Sequence, residues 1–519
     1  MFDILNKHKA ATTYVVAIAF AFCVAPTFIS YKPYVFRWDD AEYFQRSIEV
    51  SRAFWSGNVH RLGVAMVSNR PPAMTLLGLP WGALISWNSA GKCFVTLAAV
   101  ISFLSALCLY FLLRIGVRPL FLLLASLCVA ASLGPFAGGE STRVDATAFA
   151  ADNLLAWISL AAVLLISYEA RSRCGSTKSS ILGGFLWGAL LSLGAMTKIS
   201  FFYFIVLIVP TLFVIRFRRV GLRGALTALI AFASLSLPFA IYLLHWGRSA
   251  FQNGGASSFG QVAGLYKVPL LPFLDESIRL SPGLIPSLLF IAVALVYLVI
   301  KRRRTLLGPD LLALLITMGF GVIALASPNR QIRYAFPAVV ALPFLIAILL
   351  SFKADPISGR QAALAAGLVF LGLLIAGVPT EHRPDRQSIS RSEAALAQAA
   401  DCNAKSILLA TDSPTLNMDL MDLAREFWTN KNPVDVGTLA YQAMFGAPIS
   451  QDFHAIDKTD QVVFQDTKEL NPPFTNARVS EYEQYVRQAE YVPVNVGSDL
   501  RVYSKRCGLS LDEAQRASK

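Results

Sequence analysis

The chain has 519 residues, of which 55% are hydrophobic and only 15% are charged. Soluble globular domains carry about 25% charged residues, so this composition excludes an ordinary soluble protein and indicates a membrane protein. The formal net charge of +13 does not indicate a nucleic-acid partner, because the basic residues stand in short clusters at the ends of apolar segments. We therefore expect the lipid bilayer, and no nucleic acid, as a partner.

Apolar segments approaching the roughly 20 residues that cross ~30 Å of hydrocarbon as a helix recur along the chain. They predict an α-helical polytopic membrane protein with about eleven transmembrane helices. The predicted spans are 11–30, 93–113, 120–138, 154–168, 181–197, 200–215, 225–244, 285–300, 311–326, 336–352 and 362–378. The first span follows two lysines as a signal peptide would, but no small-residue cleavage site follows it, so we expect it to be retained.

Basic clusters predict which ends of the spans share a side. The alternating connections place all of them together: Arg114 and Arg118; Arg171, Arg173 and Lys178; Arg216, Arg218, Arg219 and Arg223; Lys301 to Arg304; Lys353 and Arg360. The positive-inside rule makes that side, and the N-terminus, cytoplasmic. The apolar segment 73–87 is short and contains Pro80, and a crossing there would move the later clusters outside. It is therefore predicted to be interfacial or re-entrant.

The composition changes after Pro379, which predicts two domains. A membrane domain, 1–379, carries two long outer loops, 31–92 and 245–282. An odd number of spans places the polar region 380–519 outside the cytoplasm, and this region has the size of a separate domain. It is predicted to be a small α/β domain, with strands at 406–410, 461–465 and 500–504 and helices at 393–401 and 415–427.

Two of the seven cysteines are predicted to form a disulfide. Cys402 and Cys507 bracket the polar C-terminal region, which the predicted topology places in an oxidising compartment. The other five lie within or beside apolar segments, where a cysteine behaves as a small hydrophobic residue.

Two adjacent carboxylates, Asp39 and Asp40, follow the first predicted span. Mutual repulsion makes such a pair costly unless it has a role. Glycosyl transfer from a polyprenyl phosphate supplies one, because a carboxylate takes the proton of the acceptor hydroxyl while the lipid phosphate leaves the anomeric carbon. The alternative is that the pair caps the helix predicted to continue to Trp55. The two interpretations are compatible, because a cap fixes the direction of the carboxylate.

A departing phosphate needs cations at the same face of the membrane. Lys198 lies in a tight turn between two predicted spans, and Arg330 and Arg333 lie just before the tenth. Lys198 is alternatively an isolated lysine that extends its ammonium to the interface. The two arginines oppose the positive-inside trend, which favours a functional role. Tyr334 is placed with them in the predicted donor-phosphate site, and an interfacial aromatic is its alternative.

Acidic residues also stand at the outer ends of the third and fourth predicted spans. Asp152 begins a span, so N-capping accounts for it, and orienting an acceptor or a metal is the functional alternative. Glu140 and Arg70 are its predicted companions as accessory or acceptor-contacting residues, whereas His60 is expected at the surface. The sequence has no phosphate-binding loop and no dinucleotide-binding glycine motif, which argues against a protein driven by a nucleotide in the cytoplasm. It also has no cysteine and histidine residues at the spacing of a structural zinc site.

Five short motifs follow one another in a recognisable order. They are Trp-Asp-Asp at 38–40, Arg-Pro-Pro at 70–72, Ala-Asp-Asn-Leu-Leu at 151–155, Ala-Met-Thr-Lys at 195–198, and the basic, Tyr- and Pro-containing segment 330–337. On these motifs residues 1–379 resemble the GT-C superfamily of membrane glycosyltransferases. The branch is the one shared by protein O-mannosyltransferases and bacterial aminoarabinose and lipopolysaccharide-core sugar transferases. Each motif alone is short, so the resemblance depends on their order and spacing.

The resemblance implies an inverting transfer with Asp39 as catalytic base and with Lys198 and Arg333 near the donor phosphate. Many members have Asp-Glu in place of Asp39-Asp40 and a histidine in place of Arg70, which affects the expected acceptor contacts. Some members bind a divalent cation near the acidic pair and others do not, so the resemblance leaves both a metal-dependent and a metal-independent enzyme as alternatives. The expected donor is a polyprenyl-phosphate sugar and the acceptor a glycan, lipid or protein.

The main hypothesis is thus a glycosyltransferase of a bacterial inner membrane that acts at the outer face. One alternative is a transporter, with Asp152, Lys198 and Arg333 lining a pathway. Transporters commonly show internal repeats, and the sequence has no such symmetry. The other alternative is a ligase that joins preassembled lipid-linked glycans.

Overall fold

A computed structural model describes residues 9–25, 38–66, 72–84, 91–133, 151–171, 177–258, 269–280, 283–302, 308–328, 332–351, 355–377, 387–413, 415–427, 434–440, 442, 447–466, 476–495 and 499–507. The chain divides into two compact units. The first comprises Met1–Tyr31, Gly63–Pro80 and Cys93–Glu381, and the second comprises Lys32–Leu62, Trp81–Lys92 and His382–Lys519.

Among the described residues before 378 there are thirteen α-helices. They are α1 (Lys9–Val24), α2 (Trp38–Trp55), α3 (Val59–Met66), α4 (Gly91–Ile115), α5 (Pro119–Leu133), α6 (Ala151–Arg171), α7 (Thr177–Thr197), α8 (Phe202–Ser258), α9 (Leu270–Leu280), α10 (Leu284–Arg302), α11 (Pro309–Ala326), α12 (Phe336–Leu350) and α13 (Gly359–Gly377). Helix α6 is the centre of the first unit, because it is buried almost throughout and packs against α7, α8, α11 and α12.

Over the described residues, each predicted span coincides with a helix. Among the described residues, six helices are long and apolar enough to cross a membrane, and the bent pair Leu270–Arg279 and Leu284–Ile300 passes the same test together. Three shorter apolar helices, Ala11–Val24, Pro119–Ser132 and Phe336–Leu350, match further predicted spans. The prediction of an α-helical polytopic membrane protein is confirmed.

Two segments predicted to lie outside the spans are also helical. Within the segment 73–87, Thr75–Leu84 form a 3-10 helix that contains Pro80. The predicted outer loop 245–282 holds the last part of α8 and all of α9. The seventh predicted span ends at residue 244, where polar residues begin, but the backbone hydrogen bonding of α8 continues to Ser258.

Helix α8 combines the two predicted spans 200–215 and 225–244. Its backbone breaks at Gly221, where φ is 80°. Glycine adopts this left-handed region without the steric cost of a side chain, so it permits a sharp reversal here.

The contacts of α8 with α7 show that the chain reverses at this break. The first part starts beside the end of α7, and by Arg216 it has reached Ser179 near the start of α7, with 3.4 Å between Nη1 and Oγ. The second part returns along α7, since the Ser192 hydroxyl donates to the Ser236 hydroxyl at 2.9 Å. The two parts therefore run in opposite directions, as two consecutive spans must.

The turns that carry basic residues pack together at one end of the first unit. The Arg114 guanidinium donates to the Ile357 carbonyl at 2.8 Å, and the Arg118 amide donates to the Ser351 hydroxyl at 2.9 Å. These bonds join the α4–α5 turn to the α12–α13 turn. We therefore find these two basic turns at the same end of the helices, as the predicted topology requires.

A buried ion pair fixes further helices at this end. Arg216 donates to the Glu169 carboxylate at 2.8 Å, and each side chain is only 4% exposed. Arg171 makes a two-point ion pair with Asp310, with N–O distances of 2.7 and 2.5 Å. Removing one partner of a buried pair costs about 3–5 kcal/mol. Glu169 is therefore expected to hold α6 and α8 in register, a role that the sequence interpretation did not assign.

The C-terminal part of the second unit is a five-stranded sheet with helices. Its elements are α14 (Gln387–Asp401), β1 (Ser406–Leu409), α15 (Met418–Phe427), β2 (Asp435–Thr438), α16 (Ile449–Asp457), β3 (Gln461–Gln465), α17 (Val479–Gln488), β4 (Val492–Asn495) and β5 (Leu500–Ser504). The strand order is β2-β1-β3-β5-β4. β1 is parallel to β2 and β3, whereas β5 is antiparallel to β3 and β4. The predicted small α/β domain is present.

The three inner strands agree with the strands predicted from the sequence, whereas the two edge strands were not predicted. β1, β3 and β5 are buried at nearly every position, and the centres of β1 and β3 are apolar, which is the pattern expected inside a sheet. The edge strands β2 and β4 contain Gly437 and Pro493, residues that weaken a strand signal. An edge strand tolerates Pro493 because one side of its backbone needs no sheet partner.

A disulfide joins Cys402 at the end of α14 to Cys507 after β5, with a separation of 105 residues. Closing a loop of this length restricts the unfolded chain, and loss of such a bond typically costs about 2–5 kcal/mol. We expect Cys402→Ser to lower the free energy of unfolding of the second unit by that amount, measured by urea unfolding without reductant. Cys23→Ala, at a free cysteine of the first unit, should leave it unchanged. Equal effects of the two variants would contradict this expectation.

Candidate functional site

Lys198 stands where α7 ends. Its backbone is extended, with φ −158° and ψ 139°, and a short 3-10 helix, Ile199–Phe201, follows it. The Lys198 amide still donates to the Gly194 carbonyl at 3.1 Å, which completes the last turn of α7. The lysine is therefore held at a rigid helix end, in the tight turn that the sequence predicted.

The Lys198 ammonium forms an ion pair with the carboxylate of Asp152, in the first turn of α6. The Asp152 side chain is 7% exposed and that of Lys198 is 28% exposed. The ammonium also lies 4.5 Å from the ring centroid of Tyr334, which belongs to the 3-10 helix Ile332–Ala335. Three sequence motifs thus meet around one cation.

The segment that follows the Arg-Pro-Pro motif is hydrogen-bonded to the end of α7, next to Lys198. The Ala73 amide donates to the Met196 carbonyl at 2.9 Å, two residues before Lys198. The Thr75 hydroxyl donates to the Pro72 carbonyl at 2.7 Å and shapes the turn that presents this amide. Three of the five motifs therefore have a described residue in this cluster, and the residue that follows a fourth is hydrogen-bonded to it, although the motifs are far apart along the chain.

The cluster lies at the end of the first unit opposite to the basic turns, because Asp152 begins α6 and Arg171 ends it. An ammonium has three donors, and the geometry directs one of them to Asp152. Lys198 is partly exposed, so its other donors can meet an anion. Asp152 balances the charge of the lysine, and Tyr334 stabilises the ammonium through its ring face. This arrangement suits a site that binds and releases a phosphate.

The remaining predicted site residues are described incompletely. Asp39 and Asp40 lie in the first turn of α2, in the second unit, and only their backbones are among the described parts. The same holds for Arg333, in the 3-10 helix that contains Tyr334. Arg70, Glu140 and Arg330 lie outside the described residues. His60 is described and is exposed on α3.

Metal ligands do not gather within the described part of the chain. There, no group of three or more histidine, cysteine, aspartate or glutamate side chains is placed to hold an ion. The acidic pair at the start of α2 falls outside that statement, because its side chains are not among those described.

Sequence reasoning missed the residues that hold α2. Phe44, which is fully buried, stacks on Phe427 of α15 with ring centroids 6.3 Å apart and planes 18° apart. Arg52 of α2 forms an ion pair with Glu426 of α15. Neither contact has a local signal, since the partners lie far apart in the sequence. The apolar spacing of α2 and α15 was the one available hint that both helices bury a face.

Asp422 on α15 lies among charges at this contact. Burial raises the pKa of its carboxyl above the ordinary value of 3.8, and Glu49 raises it further, while Arg425 and Arg46 oppose the rise. Because the folded state favours the protonated carboxyl, Asp422 contributes its full stabilisation at pH values below its ordinary, unfolded-state pKa. This contribution is lost as the pH rises through the folded-state pKa. The neutral Asp422→Asn variant should therefore unfold at a higher temperature than wild type near pH 7.

Near pH 3.5, where most Asp422 carboxyls are protonated in either state, the difference should largely vanish. Thermal unfolding of the purified protein in detergent at both pH values measures this effect. Asp401→Asn, at an exposed position, is the matched control. Destabilisation by Asp422→Asn at pH 7 would contradict the expectation.

The fold and this cluster define a class of protein. It is a polytopic helical membrane protein with an added α/β domain, and the partly exposed ammonium of Lys198 lies at one end of its transmembrane helices. No family model and no curated protein sequence matches the chain. Solved structures do resemble it. ArnT from Cupriavidus metallidurans in the apo state matches with a TM-score of 0.53 and 15% identity, over 95% of this chain and 97% of that one.

Two further structures are similar. The same ArnT bound to undecaprenyl phosphate matches with a TM-score of 0.52 and 15% identity, over 96% of this chain and 98% of that one. An oligosaccharyltransferase from Archaeoglobus fulgidus in complex with Zn and sulfate matches with a TM-score of 0.52 and 13% identity, over 95% of this chain and 73% of that one. Both proteins are of the GT-C superfamily. The chain thus has the GT-C fold, and the predicted resemblance is confirmed at that level.

Proposed function

We propose that the protein is a membrane glycosyltransferase that moves a sugar from a polyprenyl-phosphate donor to an acceptor, with inversion at the anomeric carbon. The observation that supports this most is the Lys198 cluster: a partly exposed cation, held by Asp152 and Tyr334, at the end opposite to the basic turns. It occurs in a fold shared with a protein whose structure holds undecaprenyl phosphate.

The proposed reaction has one base and one anionic leaving group. The acceptor oxygen forms a bond to the anomeric carbon as the bond from that carbon to the phosphate oxygen breaks, and the acceptor proton passes to Asp39. Asp40 supports the base. Lys198, Arg330 and Arg333, with Tyr334, bind the phosphate and stabilise the charge that it gains on leaving.

The other predicted residues have accessory roles in this proposal. Arg70, Glu140 and Asp152 contact the acceptor or hold the donor-binding cations in place. The archaeal oligosaccharyltransferase was solved with Zn, and a divalent cation near Asp39 and Asp40 would lower the pKa of a bound acceptor hydroxyl. No step of the proposed mechanism depends on it.

We place the enzyme in a bacterial inner membrane, with its N-terminus in the cytoplasm and its C-terminal domain outside. Two observations support this placement. The basic turns share one end of the first unit, which the positive-inside rule assigns to the cytoplasm. Cys402 is bonded to Cys507, and disulfides persist in oxidising compartments.

The test is transfer of radiolabelled sugar from a panel of polyprenyl-phosphate sugars into lipid, polysaccharide and protein fractions of membranes. We expect one donor to label one fraction only when the protein is present. The likeness to an oligosaccharyltransferase favours one second candidate, a ligase for preassembled glycans, so lipid-linked oligosaccharides are included in the panel. Turnover of no donor, with protein-dependent uptake of a solute into vesicles, would instead support a transporter.

A further inference from the structure

The helix that begins with the acidic pair is bound to the C-terminal domain. Asp39 and Asp40 are in the first turn of α2, and Phe44 follows one turn later, a rise of roughly 6 Å along the axis. Phe44 stacks on Phe427 of α15, and Arg52 pairs with Glu426 of the same helix. Both helices belong to one compact unit. The start of α2 is therefore fixed by contacts that lie about one to four turns from it.

Helix α15 is itself held firmly on the sheet. The Asn417 side chain caps its start by accepting a hydrogen bond from the Leu420 amide at 3.0 Å, and its amide group donates to the Ser413 carbonyl at 2.9 Å. Ser413, with a fully buried side chain, is hydrogen-bonded to Gln465 at the end of β3. A displacement of α15 would break this buried polar network, so the helix is a rigid support for α2.

We propose that α15 positions the acidic pair through Glu426 and Phe427, so that the C-terminal domain is a part of the catalytic apparatus. This inference rests on the proposed function, because it takes Asp39 as the base. Glu426 and Phe427 are positioning residues: they act on α2 and not on the substrate. A misplacement of a reacting group by about 1 Å can cost about 100-fold in rate, so a modest shift of α2 has a measurable effect.

The charges at the contact show which variants are informative. Arg52 is 41% exposed and Glu426 is 20% exposed, and an ion pair of this exposure contributes little when one charge is simply removed. Reversing a charge is stronger. Glu426→Arg places a new cation beside Arg52 and Arg425, and the repulsion pushes α2 away from α15. The added change Arg52→Glu restores an attractive pair with the opposite polarity.

The experiment compares transfer by four full-length proteins with matched amounts in membranes. We expect Glu426→Arg to lower kcat about 10-fold or more with little change in the donor KM, because chemistry and not donor binding depends on the acidic pair. The double variant Arg52→Glu/Glu426→Arg should recover kcat to within about 3-fold of wild type. Glu490→Arg, an exposed position of the same domain, should have no effect.

Hydrogen exchange of the α2 amides gives a readout that does not need catalysis. In Glu426→Arg these amides should exchange faster than in wild type, while those of α16 and α17 stay unchanged. Faster exchange of α2 with unaltered kcat would overturn the inference, and so would a lowered kcat that the charge swap fails to restore. A wild-type protein inactive with every donor would overturn the proposed function instead, and the exchange data would then report only on the anchoring of α2.

Discussion

Asp39→Asn should reduce sugar transfer by about 100- to 10,000-fold in kcat/KM, the range expected when a general base is lost. Asparagine has nearly the shape of aspartate and caps a helix equally well, so the variant preserves the alternative role of this residue at the start of α2. What it removes is the ability to accept a proton. The measurement is the rate of transfer from the active polyprenyl-phosphate donor at matched expression.

Two controls make the Asp39→Asn result specific. Asp275→Asn alters a carboxylate of α9 that is 68% exposed, and it should transfer sugar as wild type does. Asp40→Asn should have a smaller effect than Asp39→Asn, because Asp40 supports the base and does not take the proton. If Asp39→Asn transferred sugar at the wild-type rate, the acidic pair would be only a helix cap, and the base would have to be sought elsewhere.

Lys198→Met should lower kcat/KM for the donor by roughly 10- to 100-fold, since hydrogen bonds to charged groups are worth about 1.5–3 kcal/mol. Methionine keeps much of the apolar stem and removes the ammonium. The variant also leaves Asp152, 7% exposed, as a buried carboxylate without its cation. That loss costs about 3–5 kcal/mol of stability, so activity must be compared at equal amounts of folded protein.

The double variant Asp152→Asn/Lys198→Met separates the two roles of the lysine. It removes both charges, so it should regain stability while donor transfer stays low. Lys178→Met is the matched control, because this exposed lysine stands at the other end of α7. Recovery of both stability and transfer in the double variant would show that Lys198 serves only to neutralise Asp152. Initial rates over a donor concentration series, together with thermal unfolding, measure these outcomes.

The membrane part of the fold follows from local properties of the amino-acid sequence. Burial of an apolar span in a bilayer depends on composition and length, which are local properties, so the predicted spans coincide with helices. The inner strands β1 and β3 are also predictable, because their short apolar runs reflect burial on both faces. The edge strands carried no such pattern. Even the reversal within α8 was foreseen, since basic residues near Gly221 separate two apolar runs.

Which residues meet in the folded protein depends on long-range packing. The order of the motifs predicted Lys198 as a phosphate ligand, but nothing local in the sequence pairs it with Asp152, places Tyr334 against its ammonium, or ties Ala73 to the same turn. Nor did the sequence show that α2 rests on α15 through Phe44 and Phe427. The physical reason is the same in both cases. Periodicity and composition report what each segment buries, whereas the identity of its partner depends on how segments distant in the chain pack together.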